Sequence, residues 1–136
     1  YKNLEQWSDN PDVHATKNMF RTPDAYGYFT LNYNPIKPLT LGLTGSFTGP
    51  MWMQHFEGSG TDTDVAERTK SFADIGFKAA YDFKLFDFAT LQLNAGMHNI
   101  FNSFQTDFDK GELRDSGYMY GPMLPRSVYV GLKLSL

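Results

Sequence analysis

The chain contains no cysteine, which excludes a disulfide framework, a thiolate metal site and a cysteine nucleophile. It has no run of about 18 apolar residues, so no segment reads as a transmembrane helix. Basic residues are few and scattered: 12 Lys and Arg stand against 15 Asp and Glu, for a net charge of −3. No basic run interleaves with aromatics, so nucleic acid is excluded as a partner class. Gly-x-Ser-x-Gly, His-Glu-x-x-His and a phosphate-binding Gly-rich loop are all missing, and no nucleophile–base pair stands out, so the sequence does not read as an enzyme. Nor is a secretion signal visible, since Tyr1 is followed by a polar stretch instead of a charged start and an apolar core.

What is abundant points to strands. Twelve glycines and 16% aromatic residues in 136 suit a β-rich chain better than a helical one. Five segments alternate apolar and polar residues, the pattern of a strand with one apolar face. They are 25–34, 39–48, 72–83, 89–98 and 127–136. In the second, Leu39, Leu41, Leu43 and Phe47 oppose Thr40, Thr44, Ser46 and Thr48. In the third, Ile75, Phe77, Ala79, Tyr81 and Phe83 oppose Asp74, Lys78 and Asp82. In the last, Val128, Val130, Leu132 and Leu134 oppose Ser127, Tyr129, Gly131, Lys133 and Ser135.

Each segment runs roughly 10 residues, longer than the usual soluble strand and close to the ~9–11 that cross a bilayer at a tilt. The connections alternate in length: 34–38 and 84–88 are short, whereas 50–71 and 99–126 are long, and 1–24 belongs to a third long loop. Short turns at one end and long loops at the other are the wiring of an outer-membrane β-barrel, with the short turns in the periplasm. Aromatics gather at strand ends as an interfacial girdle requires, with Tyr33, Tyr81 and Phe83 by the short turns and Phe47, Trp52, Phe72 and Phe101 by the long loops. Five strands cannot close a barrel, for which eight is the practical minimum. The expected fold is therefore all-β, an up-and-down antiparallel array forming part of a large transmembrane β-barrel. A second class stays open: a soluble β-barrel or sandwich module that binds a small apolar ligand between inward-turned apolar faces.

The C-terminal third narrows the choice. A strand closes on Asn99-Ile100-Phe101-Asn102, a long loop carries Tyr120-Gly121-Pro122, and Pro125-Arg126 opens a final strand with Gly131 inside it. This arrangement resembles the C-terminal end of TonB-dependent receptors, and Phe47-Thr48-Gly49-Pro50-Met51 looks like versions of that family from the Bacteroidetes. The resemblance implies that residues 1–136 are the C-terminal segment of a 22-stranded barrel, with the plug domain and the remaining strands lying elsewhere. It implies a location in the bacterial outer membrane and import of a scarce nutrient, an iron chelate, haem, cobalamin or glycan. It also implies outer-membrane lipid as surroundings, TonB as an energy-delivering partner through the plug, and room for a surface lipoprotein as a further partner.

Site residues are expected in the long loops. Trp52, His55, Tyr118 and Tyr120 are the candidate ligand-binding residues, because flat aromatic faces stack on a flat ligand or a sugar; the same rings can instead pack one loop against another. Asp107, Asp109 and Glu112 carry oxygen ligands at a spacing reminiscent of a calcium loop, although Gly111 stands where an EF-hand would place a fifth-position ligand. No other cofactor is expected. His14, His55 and His98 lack metal-ligand spacing; in a haem receptor, loop histidines or tyrosines would be the iron ligands. Asn99 and Asn102 are expected to satisfy turn backbone groups and not to touch ligand.

Overall fold

The structure, a computed structural model, describes Leu4 and residues 6–136. Tyr1, Lys2, Asn3 and Glu5, at the start of the first long loop, lie outside the described residues. The described chain is all-β and without helices: β1 (Tyr26–Ile36), β2 (Leu39–Thr48), β3 (Trp52–His55), β4 (Val65–Arg68), β5 (Phe72–Phe86), β6 (Ala89–His98) and β7 (Ser127–Ser135). Two compact units emerge, one holding 27–47, 72–104 and 122–136, the other holding the described residues up to 26 together with 48–71 and 105–121.

The first unit is a five-stranded sheet in the order β1-β2-β5-β6-β7. With β3 and β4 lying in the β2–β5 connection, the order follows the sequence, as an up-and-down array does. β1 and β2 are neighbours joined only by Lys37-Pro38, and β5 and β6 only by Asp87-Phe88, connections so short that the paired strands must be antiparallel. Both strands before these turns run further than their alternation suggests, β1 through Pro35 to Ile36 and β5 to Phe86. Pro35 lies one residue before the end of β1, beside the Lys37-Pro38 turn, where a missing N–H interrupts little of the ladder. Close to the second turn the β5–β6 register shifts between Lys84 and Phe86, an irregularity that bends the strand locally.

Register turns the alternation into two chemically distinct faces. Phe77 pairs with Met97, Ala79 with Ala95, Tyr81 with Leu93 and Phe83 with Leu91. β7 extends each pair: Met97 with Val128, Ala95 with Val130, Leu93 with Leu132 and Leu91 with Leu134. Four apolar rows thus cross three strands on one face, and many of their side chains stand open: Phe77, Phe83, Leu93, Val128, Val130, Leu132 and Leu134 are all exposed, Leu132 at 70%. On β1 the ring of Phe29 lies over Gly45 of β2, where an added Cβ would come within 2.2 Å of it. The opposite face is polar, with Lys78 beside Gly96 and Tyr129, and Asp82 beside Gln92 and Lys133. There Gln92 donates to Asp82 at 2.7 Å, and His98 stacks on Tyr129 with centroids 5.2 Å apart.

The Asn99–Asn102 element closes β6. Both asparagines adopt positive φ, 48° and 52°, a left-handed conformation that asparagine tolerates better than other side chains. Asn99 is fully buried; its Nδ2 donates to the carbonyls of Ser103 and Leu124, both at 2.9 Å, and its Oδ1 accepts from the Ser103 N–H at 2.8 Å. The Arg126 N–H donates to Asn102 Oδ1 at 3.1 Å. The expected backbone-satisfying role of the two amides is what the geometry displays.

The second unit carries much of the buried interior. Among the described residues the buried apolar side chains are Met53, Tyr118 and Tyr120 here, with Phe72, Ala80 and Ala89 in the sheet. Its regular element is a hairpin of β3 and β4, inside a segment the alternation assigns wholly to loop.

Candidate functional site

The hairpin sorts the candidate residues. β3 pairs with β4 through Trp52 and Arg68, Met53 and Glu67, Gln54 and Ala66, and His55 and Val65. Period-two alternation puts Met53, His55 and Glu67 on one face and Trp52, Gln54 and Arg68 on the other. Trp52 therefore stands apart from the other three candidate ligand-binding residues. The Arg68 guanidinium lies 5.7 Å from the Trp52 ring centroid and forms an ion pair with Asp24.

His55, Tyr118 and Tyr120 do come together. The His55 and Tyr118 rings stack with centroids 3.9 Å apart and an interplanar angle of 6°, and Tyr120 meets Tyr118 edge-on at 5.5 Å. Tyr118 is 2% exposed and His55 4%, so the rings pack loop against hairpin and offer no open face for stacking. Gln105, also buried, organises this packing: its Nε2 donates to the Tyr118 carbonyl at 3.2 Å and its Oε1 accepts from the Tyr120 N–H at 2.9 Å.

Around the rings lies a shell of carboxylates. The Tyr118 hydroxyl is 2.6 Å from Glu67 Oε2 and 3.2 Å from Asp107 Oδ2, and the Tyr120 hydroxyl donates to Asp107 at 2.5 Å. His55 Nε2 is 2.9 Å from Asp109 Oδ1. Its Nδ1 is 3.3 Å from Glu67 Oε1, within ion-pair reach but without the alignment of a hydrogen bond. The second Asp109 oxygen accepts from the Asp115 N–H at 3.0 Å, and the Asp115 carboxylate accepts from the N–H groups of Phe56 and Gly117.

These contacts set the protonation states. Burial works against charge on His55, but its hydrogen bond with Asp109, its close contact with Glu67 and the fields of both carboxylates outweigh it, raising the imidazole above its ordinary 6.5. Burial likewise opposes ionisation of Asp109, and is outweighed by His55 and the Asp115 N–H, so this carboxyl titrates below its usual range. Burial, then the bond to Asp107, pushes the Tyr120 hydroxyl up to about 12. Tyr118 moves in the same direction, through burial and then Glu67.

Of the calcium-loop candidates, Asp107 is bound to the tyrosines and Asp109 to His55, while Glu112 is exposed and outside this network. Among the described residues no group of three or more His, Asp or Glu side chains is arranged to hold a metal ion. The remaining histidines lie elsewhere, His14 exposed in the first loop and His98 on the polar face of the sheet, beside a shallow pit of about 200 Å³ lined by Asn32, Thr44, Lys78 and Tyr129. Glu67 and Gln105 are the members of the cluster that sequence reasoning missed. Glu67 was legible only through the β3–β4 register, and Gln105 carries no local signal. Against known proteins, the chain matches no family model, no curated protein and no solved structure.

Proposed function

We propose that the chain is the C-terminal stretch of the barrel of a TonB-dependent receptor, a bacterial outer-membrane protein that binds a scarce nutrient outside the cell and carries it inward. The observation that carries this reading is the uncovered apolar face of the sheet. Four rows, from Phe77-Met97-Val128 to Phe83-Leu91-Leu134, present large side chains to the surroundings, whereas soluble monomers rarely leave so continuous an apolar surface open.

Dimensions support the same reading. β6 has 10 residues, about 31 Å of strand at about 3.4 Å per residue; tilted by about 40° it rises about 24 Å, against an outer-membrane apolar band of about 25 Å. The two-residue turns fit the periplasmic end and the long connections the outer end. In this reading the polar face, with Lys78, Asp82, Gln92 and Lys133, lines the lumen, and the buried aromatic and carboxylate cluster holds outer loops in shape. Transport, not catalysis, is its work, and lipid, a small-molecule nutrient, TonB acting through a plug and a surface lipoprotein are its partners.

Detergent-phase partition of the chain tests the proposal. Partition into detergent, with aggregation on its removal, is the expected result. A monodisperse, detergent-free monomer in sedimentation would contradict it and point instead to a soluble β-barrel or sandwich that turns its apolar face inward around a small ligand.

A further inference from the structure

His55 is buried among groups of one sign. Glu67 of β4 faces its Nδ1, Asp109 of the 105–121 segment faces its Nε2, and Asp107 lies one hydrogen bond further on, through Tyr118. Tyr118 and Tyr120 hold their protons far into the alkaline range and add no compensating charge. Arg68, next to Glu67 in sequence, points to the other face of the hairpin, over Trp52 and onto Asp24. A neutral imidazole carries one proton and one lone pair. In either tautomer the lone pair would lie beside a carboxylate oxygen at 3.3 Å or less; the repulsion is poorly screened at the buried Asp109 and weaker at Glu67, whose side chain is partly open to solvent. Only the imidazolium presents a proton to both sides, and its charge over the Tyr118 face, 3.9 Å from ring to ring, adds a cation–π attraction.

We propose that His55 is a proton-operated latch: its imidazolium, held between Glu67 and Asp109, clamps the 105–121 segment to the β3–β4 hairpin, and loss of that proton loosens the segment. The contacts that close the latch are long-range in sequence, 54 residues from His55 to Asp109 and 51 from Tyr118 to Glu67; bonds from Phe56 N–H to Asp115, Ser59 N–H to the Leu113 carbonyl and Arg21 to the Gly117 carbonyl also tie the segment, so losing the proton loosens it without freeing it. The sign follows from linkage. The folded imidazole titrates above its ordinary 6.5, so the stabilisation is fully present below 6.5 and disappears as pH rises through the folded value. On the acid side the latch holds until Asp109, whose carboxyl titrates below 3.8, takes up a proton. The unit is thus closed in mildly acidic medium and loosened in alkaline medium, whether or not the sheet lies in a bilayer.

The test is a pH series on the full protein, with the three imidazoles followed by NMR and amide exchange of residues 105–121 corrected for its intrinsic pH dependence. His55 is expected to titrate above 6.5. Protection of 105–121 is expected to fall across the same pH range, by up to about tenfold for each unit by which the His55 midpoint exceeds 6.5. Glu67→Gln removes one carboxylate and should lower that midpoint while Asp109 keeps the ring in place; His55→Gln should abolish the pH dependence of exchange. A His55 midpoint at or below 6.5, protection that stays flat across the His55 titration, or unchanged pH dependence in His55→Gln would each overturn the latch. If His55→Gln does not fold, the wild-type titration and the Glu67→Gln shift decide.

Discussion

Asn99 Nδ2 donates to the Leu124 carbonyl at 2.9 Å, so a fully buried amide at the end of β6 fixes the chain 25 residues later, just before β7 begins. The same side chain serves Ser103 through both its oxygen and its nitrogen. Asn99→Ala strands these backbone groups and places a Cβ-only residue at φ 48°. The expected loss is about 2–4 kcal/mol, read from the denaturant midpoint at unchanged slope. Asn99→Gly, which relieves the backbone but not the bonds, should lose less.

Gly96 and Gly27 make a matched pair on the sheet. A Cβ on Gly96 would come within 2.4 Å of the Tyr129 hydroxyl and 2.7 Å of the Phe77 carbonyl, whereas one on Gly27 meets nothing within 4 Å. Gly96→Ala must therefore push the β5–β6–β7 register apart and should cost about 1–3 kcal/mol. Gly27→Ala should be neutral or stabilising by up to about 1 kcal/mol, because only the freedom of the unfolded chain changes. Melting curves of the two variants, run side by side, measure the difference.

Asp64 joins two loop segments by accepting from the Ser8 hydroxyl at 2.5 Å and the Glu57 N–H at 2.8 Å. The Ser8 bond, then the Glu57 bond, hold its carboxyl below the ordinary 3.8. A depressed carboxylate contributes stability that is present above 3.8 and lost as pH falls through the lower folded value. Ser8→Ala should bring the Asp64 midpoint back toward 3.8, a shift followed by its carboxyl carbon resonance, and should move acid unfolding of this unit to higher pH.

Much of the sheet was legible because its boundaries coincide with residues that end strands for local reasons. β2 stops before Gly49-Pro50 and β6 before Asn99, and both match their alternation to the residue. β1 and β5 run past their alternation because Pro35 and the Lys84-Leu85-Phe86 stretch look like turn chemistry, and only their places, at the last step before a two-residue turn and at a register shift, make them strand. The β3–β4 hairpin was missed because four residues are too few for alternation to register; Gly58 and Gly60 between the two runs were the available cue. The loop cluster was half legible. His55, Tyr118 and Tyr120 suggested an aromatic site, but their burial against one another, and the partnership of His55 with a carboxylate 54 residues away, depend on tertiary contacts that leave no periodic trace.

The most direct test of the membrane reading is the surroundings of the two sheet faces, and a chain without cysteine accepts single spin labels cleanly. Labels at Leu93 and Leu132, neighbours on the apolar face, and at Gln92 and Lys133, neighbours on the polar face, are compared by collisional relaxation with oxygen and with a water-soluble nickel complex, in the bilayer-inserted protein. A lipid-facing apolar surface requires positions 93 and 132 to relax with oxygen and be shielded from nickel, and positions 92 and 133 to do the reverse. Nickel access at 93 and 132 equal to that at 92 and 133, or immobilised labels at 93 and 132 reached by neither reagent, would contradict it.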